Sequence, residues 1–595
     1  MAMEFSHSGK TLKKLAAYLW PKEREDLKLR VVIALLCLFL AKATNVFVPV
    51  FYKKAVDLLS IDKESLVYFH FPVLLILSYG FARIGTQIFD GLKDAIFARV
   101  EHHGIRTLAL ETFRHLHHLS LRFHLDRKTG AISQAIERGI KAIETLLRFM
   151  LFNIFPTFVE ILLVSAVLAF LYDYRFSLVT LLTLLLYITV TLLITEWRTK
   201  IVREMNKVDS EANSKAIDSL LNYETVKYYN NEKHEENRYN TFLKSYEKAA
   251  IQSKISLSYL NISQGIIIAL GLILVMTMAA YDVKNGRMTV GDFVLVNTYL
   301  IQLYLPLNVL GFAYREIKLA LVNIEHMFAL LKEKEEIKND SKAKSLVVKK
   351  GDIKFINVEF SYTEDRPILK RISFHVKAGQ KTAIVGESGV GKSTISRLLF
   401  RFFDVQKGQI LIDNQDIKHV SQESLRATIG IVPQDTVLFN DTLLYNIAYG
   451  NLQASASEID QAIQMSHLNN FIQSLPAGTN TLVGERGLKL SGGEKQRVAI
   501  ARTLLKKPKI FLFDEATSSL DTHTERIIQK NLLEISKNKT TLIIAHRLST
   551  IIDADEIIVL KTGEIAERGK HVDLLKQKGL YAEMWKKQQK HSKSQ

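Results

Sequence analysis

A single cysteine, Cys37, stands in 595 residues, so the chain forms no intrachain disulfide and no cysteine cluster that holds a metal by itself. The opening stretch MAMEFSHSGKTLKKLAAYLWPKERED lacks the apolar core of a signal peptide. Its Glu4, Glu23, Glu25 and Asp26 also make it a poor mitochondrial presequence. Within it, Thr11–Trp20 sets lysines against Leu12, Leu15, Ala16 and Leu19, the pattern of a short helix lying in a membrane interface before Pro21 breaks it. Arginine-rich and aromatic-interleaved modules are also missing, so the formal charge of +18 is not the footprint of nucleic acid. Lysine and arginine instead crowd the segments beside apolar runs, the bias of cytoplasmic loops in membrane proteins. Those long apolar runs are themselves absent from the second half of the chain. A chain of this length exceeds one core, and the uneven distribution divides it into a membrane part and a globular part.

A helix crosses a bilayer with about 20 mostly apolar residues. Six stretches qualify: Leu29–Val50, Val67–Phe89, Phe149–Leu171, Phe176–Thr195, Leu257–Tyr281 and Gly291–Phe312. An even number puts both termini on one side, and Lys10, Lys13, Lys14, Lys22, Lys28 and Arg30 assign that side to the cytoplasm. The loops on the other side are short, at Tyr172–Arg175 and near Asn285-Gly286. Between spans two and three, and again between four and five, the chain makes long helical excursions, each reaching about 40 Å beyond the membrane. Their tips are SLRFHLDRKTG (Ser120–Gly130) and NYETVKYYNNE (Asn222–Glu232). After Phe312 the helix continues to Leu331, and residues 332–350 read as a charged, solvated linker.

From Gly351 the period changes to that of strands. The apolar stretches Lys381–Val385, Thr428–Val432, Ile510–Phe513 and Thr541–Ala545 alternate with helical segments, as in an α/β domain running over 351–587; residues 588–595 read as a mobile tail. The first of these strands runs into Gly386-Glu387-Ser388-Gly389-Val390-Gly391-Lys392-Ser393, followed by Thr394 at the start of a helix. That is a complete GxxxxGK[ST] loop in its strand-to-helix setting. Its backbone N–H groups wrap phosphates, Lys392 neutralises them, and Ser393 serves Mg²⁺. Ile510–Phe513 delivers Asp514 and Glu515 to a sheet edge, one carboxylate for Mg²⁺ and one for a water. Gln434 and His546 follow two other strands, where each meets the terminal phosphate, and Gln434 also the metal. Tyr362 offers a ring to adenine. The turn Leu490-Ser491-Gly492-Gly493-Glu494 opens another helix, whose free N–H groups suit an anion.

Together these residues resemble the ATP-binding-cassette family: Walker A at Gly386–Ser393, the Q-loop at Gln434, LSGGE at Leu490–Glu494, Walker B ending at Asp514-Glu515, the D-loop Ser519-Leu520-Asp521 and the switch His546, all in family order. TLVGERG (Thr481–Gly487) is similar to the extra loop of exporter-type cassettes. The resemblance implies ATP with Mg²⁺ as cofactors, Glu515, His546 and Gln434 in hydrolysis, and Ser491, Gly492 and Gly493 on the ATP of an opposite cassette. With one cassette per chain, it implies a homodimer with two composite sites, and a multidomain fold of six-helix all-α transmembrane domain (29–331) followed by an α/β P-loop ATP-binding domain.

In the membrane half, Thr195–Glu232 and LNVLGFAYREI (Leu307–Ile317) resemble the Atm1-type exporters of mitochondria and bacteria, which are linked to glutathione-derived or sulfur-containing cargo, iron–sulfur protein maturation and heavy-metal detoxification. Counting residues from the outer turns places Arg198, Asn261, Gln264, Gly311 and Arg315 at one level, about 30 Å down at the inner membrane face. The arginines suit cargo carboxylates, Asn261 and Gln264 suit peptide amides, and Gly311 leaves room. The family's glutathione-binding positions fall on these five. A second basic residue expected one turn after Arg198 is missing, since Val202 stands there. Glu160 is a carboxylate within a span and is expected to be paired or functional. His102, His103, His115, His117, His118 and His124 read as a solvated helix face rather than a metal site. The implied setting is a bacterial inner membrane, with the mitochondrial inner membrane as the alternative. The rival functions are a lipid or hydrophobic-drug exporter of the same fold and an ATP-gated channel or regulatory scaffold; the spans exclude a soluble ATPase acting on nucleic acid.

Overall fold

The structure, a computed structural model, describes residues 15, 18, 20, 24–60, 67–126, 129–307, 309–340, 343–363, 365–514, 530 and 534–593. The expected interfacial helix at Thr11–Trp20 lies largely outside them. The chain divides into two units, residues 1–118 with 127–333 and residues 119–126 with 334–595.

The first unit is all helical: α1 (Glu25–Leu59), α2 (Val67–His118), then, beyond the short α3 (Leu121–Asp126) of the second unit, α4 (Thr129–Phe149), α5 (Phe155–Leu171), α6 (Tyr174–Leu221), α7 (Tyr223–Tyr228), α8 (Glu232–Lys284), α9 (Val290–Leu307) and α10 (Leu310–Lys332). Six segments are long and apolar enough to cross a membrane; five contain one of the sequence spans, and the second, Phe71–His118, takes in all but the first four residues of Val67–Phe89. With 53 residues, α8 runs about 80 Å against about 30 Å of hydrocarbon, so much of it projects beyond the bilayer. Between α4 and α5 the turn Met150–Ile154 is π-helical. Pro156 follows it without an N–H to give the ladder, and the wider turn lets Phe155 N–H reach the carbonyl of Met150.

At the centre of this unit, α9 buries Leu295, Tyr299, Leu300, Leu303 and Leu307 against Val164 and Leu168 of α5, Leu184 and Tyr187 of α6 and Val275 of α8. At Gly271 a Cβ would come within 2.4 Å of Thr183 Cγ2, so α8 approaches α6 at a spacing no side chain permits. Carboxylates in this unit gather several donors each. Glu160, for which the sequence offers no partner, accepts from Lys42 Nζ at 2.7 Å, Asn45 Nδ2 at 2.8 Å and Gln302 Nε2 at 2.6 Å. Near the outer turns Asp292 is paired with Lys53 and accepts from Tyr172 and the Thr289 hydroxyl and N–H, while Asp57 accepts the N–H of Gly291 at 2.8 Å.

The second unit holds two sheets. The four-stranded one is antiparallel, in the order β2 (Pro367–Val376), β1 (Ile353–Ser361), β4 (Lys407–Ile412), β5 (Gln415–Asp416). The six-stranded one has the order β10 (Glu564–Gly569), β9 (Glu556–Lys561), β3 (Lys381–Gly386), β8 (Thr540–Ile544), β7 (Ile510–Asp514), β6 (Ile429–Val432), and is parallel from β9 to β6. The parallel strands β3, β8, β7 and β6 are largely apolar and buried because both faces are covered, whereas the edge strand β10 is charged. Helix α11 (Lys392–Leu399) follows β3, and α12 (Gln422–Thr428) precedes β6. A helical layer then inserts between β6 and β7: α13 (Leu443–Ala448), α14 (Ala456–Met465), α15 (Asn469–Ser474) and α16 (Gly492–Leu505), with its own core of Leu443, Ile447, Ile463, Leu468 and Val498. Within this unit Leu121 of α3 packs on the main core, and Arg122 lies 6.0 Å over the Phe403 ring and 3.8 Å from Glu336. Where burial pushes the Asp413 carboxyl up, N–H groups of Lys349, Lys350, Gly351 and Asp352 outweigh it and hold the pKa below its ordinary value, anchoring the segment that enters β1.

The chain ends in α17 (His571–Gln577) and α18 (Leu580–Lys593). Residues 588–593, expected to begin the tail, are helical in α18. Its Tyr581, Met584 and Trp585 pack on the core formed by β3, β8 and β9, and the helix carries straight on from that anchor.

Candidate functional site

Parallel strands bring their carboxyl ends to one edge of a sheet, and crevices form there. In the six-stranded sheet, β3 leads into Gly386, β6 to Gln434, β7 ends on Asp514 and β8 leads to His546, so residues scattered over 160 positions meet at one edge. A cleft of about 390 Å³ opens there, lined by Ser388, Gly389, Gly391, Lys392, Ser393 and Thr394 from the loop, by Tyr362 beyond β1, and by Gln434 and His546.

The loop folds as it does because three of its positions need glycine. Gly389 and Gly391 have φ of 81° and 108°, and a Cβ on Gly386 would meet the carbonyl oxygen of Leu560 at 2.5 Å. Val390 folds back to cover Gly386. Gly391 caps α11, leaving that helix's first N–H groups facing the cleft. Lys392 is only 4% exposed. Its Nζ donates to the carbonyls of Gly386 at 2.9 Å and Glu387 at 3.0 Å and lies 3.5 Å from His546 Nε2. An ammonium held by loop carbonyls is oriented before any phosphate arrives.

Tyr362 is fixed on every side. Its hydroxyl is 3.2 Å from Thr394 Oγ1 and accepts from Arg397 Nη1 at 3.1 Å, and its ring meets Phe360 and Phe403 edge-on. Asp514 accepts from Ser396 Oγ at 3.0 Å, which aims the carboxylate along α11 towards Ser393 one turn earlier. Ser393, Gln434 and Asp514 offer a hydroxyl, an amide carbonyl and a carboxylate. This all-oxygen donor set fits Mg²⁺. Gln496 of α16 grips the Gln434 loop from behind, donating to the Pro433 carbonyl at 3.2 Å and accepting from Thr436 Oγ1 at 3.3 Å.

Two further groups of residues are expected at such a cleft from the sequence. Glu515, with the loop Ser519–Asp521, lies outside the described residues. Ser491, Gly492 and Gly493 are described but line no part of it. Ser491 caps α16 through a capping box, accepting from Glu494 N–H while the Glu494 carboxylate accepts Ser491 N–H at 2.7 Å. Conversely, Arg366, Ile368 and Arg397 line the cleft although no motif in the sequence marks them. Arg366, four residues after Tyr362, carries one usable signal, a cation on the same loop as that ring.

Of the five expected cargo residues, Arg198, Gln264 and Gly311 gather where α6, α8 and α10 meet. Arg198 is 8% exposed, and its Nε donates to Ser256 Oγ at 3.1 Å. Gln264 donates to Thr191 Oγ1 at 3.0 Å. A Cβ on Gly311 would lie 3.1 Å from Thr195 Oγ1 and 3.3 Å from Leu260 Cδ2, so that glycine permits close helix packing rather than leaving open room. Arg315 is near enough for its charge to act on Arg198, pairs with Glu316 at 2.9 Å and lies over the Phe312 ring. Asn261 is exposed. Val202 lies buried one turn beyond Arg198 on the same face of α6. Among the described residues no carboxylate pairs with Arg198.

Residues 31–307 match the family model of the ABC transporter transmembrane region, and residues 369–518 match that of the ABC transporter. The ATM1-type heavy metal exporter of Novosphingobium aromaticivorans is 50% identical over 585 residues, which are 98% of this chain and 96% of that protein. The chain belongs to the Atm1-type ABC exporters. Human mitochondrial iron-sulfur clusters transporter ABCB7 is 47% identical over 587 residues, covering 97% of this chain and 78% of its own. A solved bacterial Atm1-family ABC exporter with ATP bound superposes with a TM-score of 0.83 at 49% identity, covering 94% of this chain and 98% of that one. Like the rest of its family, this exporter hydrolyses ATP to drive transport across the membrane its six helical segments span.

Proposed function

We propose that this exporter works as a homodimer that uses ATP to expel glutathione-derived or other sulfur-containing compounds, free or metal-bound, from the cytoplasmic or matrix side of a bacterial or mitochondrial inner membrane. The relatives named for heavy metals and for iron–sulfur clusters support a role in detoxification or in iron–sulfur protein maturation. The observation that carries the cargo reading is Arg198. A guanidinium this deeply buried beside apolar helices is costly without an anion, and within the chain it has a hydroxyl for a partner, with a second cation, Arg315, acting on it. An acidic peptide-like cargo supplies the missing carboxylates, and Gln264 the amide recognition.

The placement of Ser491–Gly493 outside the cleft of their own chain supports dimerisation. Their helix start serves the nucleotide of a partner, and closure of the two cassettes on ATP drives the membrane helices from inward to outward access. In hydrolysis Lys392 and the loop N–H groups hold the β- and γ-phosphates, Gln434 and His546 border the γ-phosphate, and Glu515 orients the attacking water. Ser393, Gln434 and Asp514 would hold Mg²⁺, which would supply neutralisation of charge on the phosphate oxygens.

Transport into inside-out vesicles with reduced, oxidised and metal-bound glutathione side by side tests the cargo. Arg198→Ala combined with Arg315→Ala is expected to raise the half-saturating concentration about tenfold or more, the loss of charge-assisted hydrogen bonds, with basal ATPase retained. Uptake indifferent to glutathione compounds and to both substitutions, with ATPase stimulated by lipid or drug, would transfer the assignment to a lipid or drug exporter.

A further inference from the structure

The loop carrying His546 is held by a side chain from the far end of the chain. Gln588, in the last helix α18, donates from Nε2 to the carbonyl of His546 at 2.6 Å and accepts the N–H of Leu548 on Oε1 at 2.8 Å. The amide satisfies a carbonyl and an N–H at once, so only one orientation of its two ends fits. It thus ties the His546 carbonyl to the Leu548 N–H, fixing the main chain just after His546. The same loop places the imidazole Nε2 3.5 Å from Lys392 Nζ, at the mouth of the cleft.

The rest of α18 is built to deliver this contact. The Glu567 carboxylate accepts the N–H groups of Leu580 and Tyr581 and so fixes the start of the helix. At that start Tyr581 is buried with its hydroxyl 2.8 Å from His571 Nδ1, and one turn on Trp585 packs edge-on against the same imidazole at 4.7 Å. Tyr581, Met584 and Trp585 share a core with Ala545 and Leu548, the residues flanking the loop. Gln588 comes next on that face, at the i+3 and i+4 spacing that places it over the loop. We propose that Gln588 is a positioning residue for ATP hydrolysis, setting the main chain around His546 so that its ring meets the γ-phosphate. This rests on the role given to His546 above and extends the machinery to the C-terminal helix, which no nucleotide motif reaches.

The test uses the full-length exporter in lipid nanodiscs and the near-isosteric Gln588→Met, which keeps the volume and loses both hydrogen bonds. The expected result is a kcat for ATP about tenfold lower with KM within about twofold, because orientation rather than binding is lost. The melting temperature stays at the wild-type value, since Tyr581 and Trp585 still anchor the helix. In a His546→Ala background, followed by single-turnover phosphate release, adding Gln588→Met changes the residual rate by less than about twofold, the non-additivity of residues acting as one unit. A wild-type kcat in Gln588→Met overturns the proposal. So does a tenfold loss repeated in full on top of His546→Ala, or a fall in kcat that only tracks a lowered melting temperature. Wild-type turnover in His546→Ala alone overturns the reading of His546 and this inference with it; a crippled His546→Ala beside an unaffected Gln588→Met overturns this inference alone.

Discussion

Lys392→Met is expected to lower kcat/KM for ATP about a thousandfold, the loss of two charge-assisted hydrogen bonds to phosphate oxygens. Methionine nearly matches the lysine stem in volume, so the loop keeps its shape and the thermal stability of the protein changes little. What disappears is the ammonium that the carbonyls of Gly386 and Glu387 hold at 2.9 and 3.0 Å and that a bound triphosphate recruits. Nucleotide binding, measured with a fluorescent ATP analogue, falls together with turnover. Glu515→Gln separates the two quantities, because its carboxylate is assigned to the attacking water and not to the phosphates. That variant is expected to bind ATP as the wild type does while its phosphate release stalls. Wild-type KM and kcat in Lys392→Met would remove the lysine from the site, and wild-type phosphate release in Glu515→Gln would remove that carboxylate from the mechanism.

The nucleotide loop is legible in the amino-acid sequence because its chemistry leaves few choices of residue. Wrapping a backbone around phosphates requires positive φ at Gly389 and Gly391 and a missing Cβ at Gly386, and these demands write themselves as spaced glycines. The strand ends carrying Gln434, Asp514 and His546 are legible for a similar reason, since doubly covered parallel strands are continuous apolar runs that stop where the site begins. The six spans are legible because a bilayer fixes their length. Contacts that depend on tertiary distance leave no local pattern. Arg397 reaches the Tyr362 hydroxyl from 35 positions away, and Gln588 reaches Leu548 from 40. The segment KKQQKHSKSQ reads as a tail by polarity, yet it is helical through Lys593 because Tyr581, Met584 and Trp585 just before it bury one face. At Gly311 a Cβ would crowd Thr195 Oγ1 and Leu260 Cδ2, a closeness of helices that the sequence pattern does not record.

Glu160 shows the same limit in its sharpest form, and it sets the largest expected loss of stability. The sequence presents a carboxylate in a span; the structure supplies Lys42, Asn45 and Gln302 from 118, 115 and 142 positions away. The carboxylate is 2% exposed and joins α1, α5 and α9 inside apolar surroundings. Glu160→Ala is therefore expected to destabilise the membrane unit by about 3–5 kcal/mol, because it strands an ammonium and two amide donors where water does not compensate. The ion pair as such contributes much less, since burying both charges costs nearly what their attraction returns. Removing both charges separates these effects. Lys42→Leu with Glu160→Leu leaves no charge behind, only the Asn45 and Gln302 amides to find other partners, and is expected to recover more than half of the loss. The measurement is the melting temperature in one detergent for wild type, Glu160→Ala, Lys42→Leu, Glu160→Leu and the Leu/Leu double, the last three closing a cycle with wild type that reads the coupling between residues 42 and 160 directly. Additive losses would show that the two charges act independently. A Glu160→Ala protein as stable as wild type would show that α1, α5 and α9 are held by apolar packing alone.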